Sequence, residues 1–258
     1  MKLARLSMLL VLPVLLISAC GGSDDDSFDD RVGLADPKVR FVHAVPAGPD
    51  VTLYRGSTPQ ADATNVGYKF ASHYFDVSTN ADTWSVQTTG SPPTTLSSLV
   101  LDAQRGNKYT VVALPGVDVV DSLLIVDPYD KGLTSDHARV RVLNAAVNAQ
   151  NVDIYLTAPT VDLATVGPNF AALQFKAAQP ASGSDSQEFD GGSYQLRITT
   201  AGTKTVIFSA PVTLDNNADW LVLSIPTGGL GAIVANQIKV LVAKSDDSTQ
   251  TTLEIVSQ

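Results

Sequence analysis

Three histidines are the chain's whole stock of side chains that titrate near neutral pH: His43, His73 and His137 among 258 residues. They are dispersed, stand in no HExxH pair and have no cysteine partner, so they do not read as a zinc site. No GxSxG run is present to build a nucleophile elbow. Gly228-Gly229-Leu230-Gly231 follows a strand-like run and invites a dinucleotide reading. The third glycine of that fingerprint would fall at Val234, with too few residues left for a helix, so a hairpin turn is expected instead. Asp118, Asp121, Asp127, Asp130 and Asp136 gather toward the middle of the chain. They read as a solvated acidic surface, with a calcium site between domains as the sharper alternative. No catalytic set, cofactor or metal site is expected from these residues.

The one cysteine, Cys20, excludes an intramolecular disulfide and any cysteine-based metal cluster. Its surroundings point to another use. Lys2 and Arg5 form a basic head, and Met8 to Ile17 is apolar except for Pro13. Ten helical residues rise about 15 Å, half a hydrocarbon core, so this is a signal h-region rather than a membrane span. The run Leu16-Ile17-Ser18-Ala19-Cys20 resembles the lipobox of bacterial lipoproteins. That resemblance implies a diacylglycerol on the Cys20 thiol, cleavage before it and acylation of the new N-terminus. Several acyl chains on one residue anchor stably where one does not. Gly21 and Gly22 stand where inner-membrane retention signals place Asp, which by resemblance favours the outer membrane. The acidic stretch Gly21 to Asp30 reads as a flexible tether, since like charges in a row extend a chain. It lacks the ordered spacing of a calcium loop.

The elements that position these residues are β-strands. Hydrophobic residues make up 44% of the chain and charged ones 17%, enough apolar surface for a core. A net charge of −9 with no basic cluster argues against nucleic acid as a partner. Val39-Arg40-Phe41-Val42-His43-Ala44 is echoed by Val140-Arg141-Val142-Leu143-Asn144-Ala145. At the same offset, Asp50-Val51-Thr52-Leu53-Tyr54 is echoed by Asn151-Val152-Asp153-Ile154-Tyr155. Trp84 to Gly90 and Lys108 to Ala113 have later counterparts at Tyr194 to Gly202 and Asp219 to Ser224. Internal repeats of this length point to a duplicated domain. Tyr194, Leu196 and Ile198 alternate with Gln195, Arg197 and Thr199, the period of a strand with one wet face. Short Val/Thr/Tyr/Ile runs between Gly, Pro, Asn and Asp predict a β-sandwich in each half.

The layout resembles the bacterial family of domain of unknown function 4397. The resemblance rests on VRFVHA…DVTLY and VRVLNA…NVDIY, on Asn65-Val66-Gly67-Tyr68 and on the strand from Gly106 to Ala113. The first copy has Thr52 where that family has Asp, and the second has Asn144 where it has His. The resemblance implies two tandem immunoglobulin-like sandwiches in the cell envelope. The expected organisation is a signal peptide over 1–19, a lipidated cysteine and acidic tether over 20–37, and sandwiches over 38–135 and 136–258. His43 returns as Asn144, which can make similar hydrogen bonds but cannot serve as a general base. Both are therefore expected to fix loop backbone, with ligand contact as the alternative. Tyr54 and Tyr155, and Tyr109 and Trp220, occupy matched places and are expected in the cores.

The reading that follows is an outer-membrane lipoprotein held in the bilayer by acylated Cys20. Its sandwiches would be non-catalytic binding or structural modules for a protein or glycan partner. Two alternatives stand beside it: a subunit of an envelope assembly pairing through an edge strand, and a hydrolase of envelope polymers.

Overall fold

The computed structural model describes residues 27–116, 119–229, 234–245 and 247–258. Cys20, Asp118, Leu230 and Gly231 lie outside the described residues. The regular structure is nearly all β. In the first half the strands are β1 (Lys38–His43), β2 (Val51–Arg55), β3 (Thr58–Pro59), β4 (Phe75–Asp76), β5 (Ala81–Thr88), β6 (Thr95–Asp102), β7 (Lys108–Pro115) and β8 (Val120–Asp127). They form two sheets, β4-β1-β7-β8 and β3-β2-β5-β6. Between the sheets lies a core of Val39, Phe41, Leu53, Trp84, Val86, Tyr109 and Val111. The period of two along β1 sends Val39 and Phe41 into this core and turns Arg40 and Val42 away from it.

The second half contains β9 (Ala138–Asn144), β10 (Val152–Thr157), β11 (Phe170–Leu173), β12 (Ala178–Gln179), β13 (Gln187–Phe189), β14 (Gly192–Thr200), β15 (Val206–Leu214), β16 (Asp219–Pro226), β17 (Ile238–Lys244) and β18 (Leu253–Ile255). Its sheets run β12-β9-β16-β17-β18, with β13 also paired to β9, and β11-β10-β14-β15. Val140, Val142, Ile154, Ile198, Phe208, Trp220 and Val222 fill the space between them. Both sandwiches are wired alike. β1 runs parallel to β7 with Val39 opposite Tyr109, and β9 runs parallel to β16 with Val140 opposite Trp220. β8 and β17 then pair antiparallel to β7 and β16.

A third core lies between the sandwiches. Val42, Ala44, Val112 and Leu114 from the first meet Leu143, Ala145, Leu223 and Ile225 from the second. The tandem halves are thus stacked face to face, in four sheet layers. All eight positions of β7 and all eight of β16 are buried, because each of these strands serves a core on both faces. Strands of the outer sheets, such as β6 and β14, keep exposed positions. Backbone straps close both edges of the stack. The amide of Ala71 donates to the Gln250 carbonyl and that of Thr252 to the Lys69 carbonyl. At the other edge Gly183 donates to the Val126 carbonyl.

The tether is shorter than the acidic composition of Gly21 to Asp30 predicts. Phe28–Arg31 forms one helical turn, α1, closed by a capping box between Ser27 and Asp30. The Asp30 carboxylate is buried and pairs with Lys38 at 3.1 Å. Arg31 donates to the carbonyls of Gly132, Leu133 and Ser135. Asp30 therefore belongs to the folded body, through the lysine that opens β1.

A shared core makes the sandwiches one cooperative unit. Each carries one tryptophan, Trp84 in the first and Trp220 in the second. Unfolding in denaturant, followed by fluorescence of Trp84→Phe and Trp220→Phe variants, is expected to give coincident normalised transitions once shifts in stability are matched by circular dichroism. Two separate transitions would mean that the seam does not couple the halves.

Candidate functional site

His43 and Asn144 end equivalent strands and do equivalent work. The His43 ring is fully buried, with Nδ1 3.3 Å from the Val45 amide and Nε2 3.0 Å from the Pro49 carbonyl. An amide can only donate and a carbonyl can only accept, so the ring is neutral with its proton on Nε2. Burial, first of all, holds its pKa below the ordinary value for histidine. Asn144 Oδ1 accepts from the Ala146 amide at 3.1 Å, the same two-residue step, while Nδ2 donates to the Leu173 carbonyl. Ser224 also donates to Oδ1. Each side chain spends its donor and acceptor on loop backbone.

The structure does not bring the histidines together. His73 faces the Asp247 carbonyl, and His137 sits 3.0 Å from Asp190. The acidic residues near the junction are also parted. Asp121 pairs with Lys176, Asp136 accepts from Asn216, and Asp130 is exposed. Among the described residues no group of three or more His, Cys, Asp or Glu is placed to hold a metal ion. The loop after Gly228 joins the adjacent antiparallel strands β16 and β17, so it is a strand connection and no dinucleotide turn. Tyr109, Tyr155 and Trp220 are buried as expected, and Tyr54 is half-buried.

Asp127 departs most from a solvated acidic surface. It lies buried at the polar end of the seam, 2.9 Å from Arg139 and 3.6 Å from Arg141, and accepts from Ser186 and the Tyr129 amide. Burial works to raise its pKa, and the two guanidinium groups overcome it, so the carboxyl sits below its usual range. Arg139 is 1% exposed and also pairs with Asp185 and Asp219. Burial and the nearby Asp127 hold Asp185 above the usual carboxylate range despite Arg139. Between the sandwiches the Tyr129 ring is clamped by Lys108, 3.5 Å from its centroid, and Arg139, at 4.1 Å. Sequence reading missed this cluster because its members lie on β7, β8, β9, β16 and two loops.

A cleft of about 500 Å³ opens to solvent on the second sandwich. Such a volume falls within the range of small-molecule sites. It lies where the ends of β14 and β15 face β17 and β18, with Val212, Trp220, Leu253 and Ile255 as its apolar wall. Tyr194, Pro159 and Pro211 form the rim. Lys244 places its ammonium 5.1 Å from the Trp220 ring and makes no ion pair among the described residues. Glu254, which also lines the cleft, is already neutralised by Lys239 at 2.9 Å and Lys69 at 3.6 Å. The arrangement can hold an apolar body with a negative group beside Lys244. The matched aromatic pair Tyr109/Trp220 was the available sequence signal, since only Trp220 has a lysine opposite it.

Replacing His43 with Asn, the residue its counterpart carries, is expected to cost about 0.5–1.5 kcal/mol, one hydrogen bond. The variant should also flatten the pH dependence of stability. A histidine kept neutral by folding contributes fully above its unfolded pKa of about 6.5, and that contribution is lost as pH falls toward the folded value. Melting curves between pH 7 and pH 5 check both points. Arg139→Met leaves Asp127 and Asp219 buried without their main partner, and a loss of about 3–5 kcal/mol in chemical denaturation is expected.

No curated protein matches this chain. Residues 37–155 match the family model named domain of unknown function, DUF4397. The matched span covers the whole first sandwich and crosses the seam into β9 and β10. A DUF4397 domain therefore spans residues 37–155 of this chain.

Proposed function

We propose that the chain is a lipid-anchored protein of the outer membrane, built from two copies of one sandwich domain, and that it binds a ligand without transforming it. Support for the anchor is the Leu16-to-Cys20 run after a ten-residue apolar segment. Support for the second copy is the shared wiring, in which Val39/Tyr109 and Val140/Trp220 hold the same register in parallel strand pairs. The observation that carries the binding role is the cleft under Lys244. It joins an apolar wall to one cation with no ion-pair partner among the described residues, and it offers no paired acid and base. The fitting ligand is an amphiphile with an apolar chain and a carboxylate or similar acceptor. His43, the buried histidine, has both ring nitrogens committed to loop backbone.

Two experiments test this reading. In a Trp84→Phe background Trp220 is the only indole, so laurate entering the cleft is expected to change its fluorescence saturably. Lys244→Glu should weaken that binding at least tenfold by placing a like charge beside the carboxylate. An unaltered Trp220 signal up to the solubility of laurate would overturn the cleft assignment. Separately, Cys20→Ser is expected to move the protein from the outer-membrane fraction to the soluble one. Retention after a high-salt wash would count against the anchor.

A further inference from the structure

The first described residues show an unusual division of labour. The segment 27–36 is fastened to the body by polar bonds. Asp30 binds Lys38, Arg31 donates to three carbonyls of the 132–135 loop, and Arg105 binds Asp36 and the Leu34 carbonyl. Its approach to the body is close, for a Cβ on Gly106 would stand 2.8 Å from the Gly33 backbone. Yet its apolar side chains are turned outward. Phe28 is 67% exposed, Leu34 63% and Val32 36%, and Leu133, in the loop that Arg31 grips, is 57% exposed. Four of the ten exposed large apolar residues among the described ones thus sit on this segment and its docking loop, including the only aromatic. A segment held by polar bonds gains nothing from presenting apolar side chains to water, so the pattern calls for an apolar partner.

We propose that Phe28, Val32, Leu34 and Leu133 form a membrane-seating surface that rests in the interfacial region of the bilayer holding Cys20. The proposal rests on the anchoring reading above, through chain length. Seven residue steps separate Cys20 from Ser27, and a fully extended chain covers at most about 3.3–3.6 Å per step. An acyl chain on Cys20 therefore holds the patch within about 25 Å of the headgroups. Phe28 and Leu34 then reach the interface with little further loss of chain freedom, since their backbone is already ordered on the body. The aspartates at 24, 25, 26 and 29 make a neutral, zwitterionic surface the better match than an anionic one. Seating at this surface fixes which side of the four-layer stack faces the lipid, where a free tether would let the protein tumble.

The test uses the acylated full-length chain in phosphatidylcholine vesicles. Single cysteines introduced as Phe28→Cys, Leu34→Cys and Leu133→Cys carry a nitroxide, with Val100→Cys on β6 and Val206→Cys on β15 as controls, while the natural thiol is occupied by lipid. The three patch labels are expected to collide more with dissolved oxygen than with a water-soluble nickel chelate, and the two controls the reverse. Five labels that all report water would overturn the proposal while leaving the anchor intact. Patch labels shielded from both reagents would also overturn it, in favour of a second copy of the chain covering the patch. Intact mass is read on the same samples. Absence of acyl mass on Cys20 would overturn the anchoring reading and remove the juxtaposition that carries this proposal. Matching melting curves show that the surface substitutions leave the fold intact.

Discussion

Arg139 holds the two sandwiches in one register, and the stack depends on it. Its guanidinium binds Asp127 at the end of β8 and Asp219 at the start of β16, and it lies against the ring of Tyr129. Lys108 of the first sandwich lies against the same ring. A connector whose aspartates read as a solvated acidic surface is therefore a clamp, with one aromatic ring between cations from both halves. Buried ion pairs add little net stability, because desolvation consumes most of the Coulombic gain, but breaking one is costly. Such a cluster specifies an arrangement. The apolar end of the seam would tolerate sliding, whereas a buried guanidinium among three carboxylates has one satisfactory position.

The seam also governs what each sandwich can offer outside. Because β1, β7, β9 and β16 serve cores on both faces, the inner sheets have no free face, and function falls to the outer sheets, the edges and the loops. The ends of β1 and β9 illustrate this. His43 and Asn144 stand where a reader of motifs would look for chemistry, and both are used up in holding the chain as it leaves a strand buried on both sides. The cleft under Lys244 opens at the free edge of the second sandwich. There β15 receives Ser257 and Gln258 at Ser209 and then presents Pro211, which has no amide to donate. That proline blunts the edge against pairing with another strand.

Strand periodicity, the turn residues and the internal echo of VRFVHA in VRVLNA were legible in the chain, and with them the all-β class and two similar sandwiches. The exchange of His43 for Asn144 already argued against proton transfer, because only the hydrogen-bonding capacity common to both types survives it. What determines these features is local: side chains alternate along a strand, and an i to i+2 hydrogen bond needs only neighbours. The apolar run from Val111 to Leu114 does not by itself say what covers its second face.

The covering was decided by tertiary structure. Asp127 and Asp121 carry the same side chain, six residues apart, and neither the spacing nor the composition separates a buried member of an arginine cluster from a surface pair with Lys176. Their fates follow from what stands opposite in space, Arg139 on β9 for Asp127 and Lys176 in the turn before β12 for Asp121. The same holds for Asp30, which belongs to an acidic run but is drawn into the body by Lys38, and for Lys244, which gains its place over the cleft from its register with Trp220. Local sequence determined which strands form and which face of each is apolar. Only the packing of one sheet against another decided which charges are buried, because a charge can leave water only where a fixed partner from a distant strand receives it.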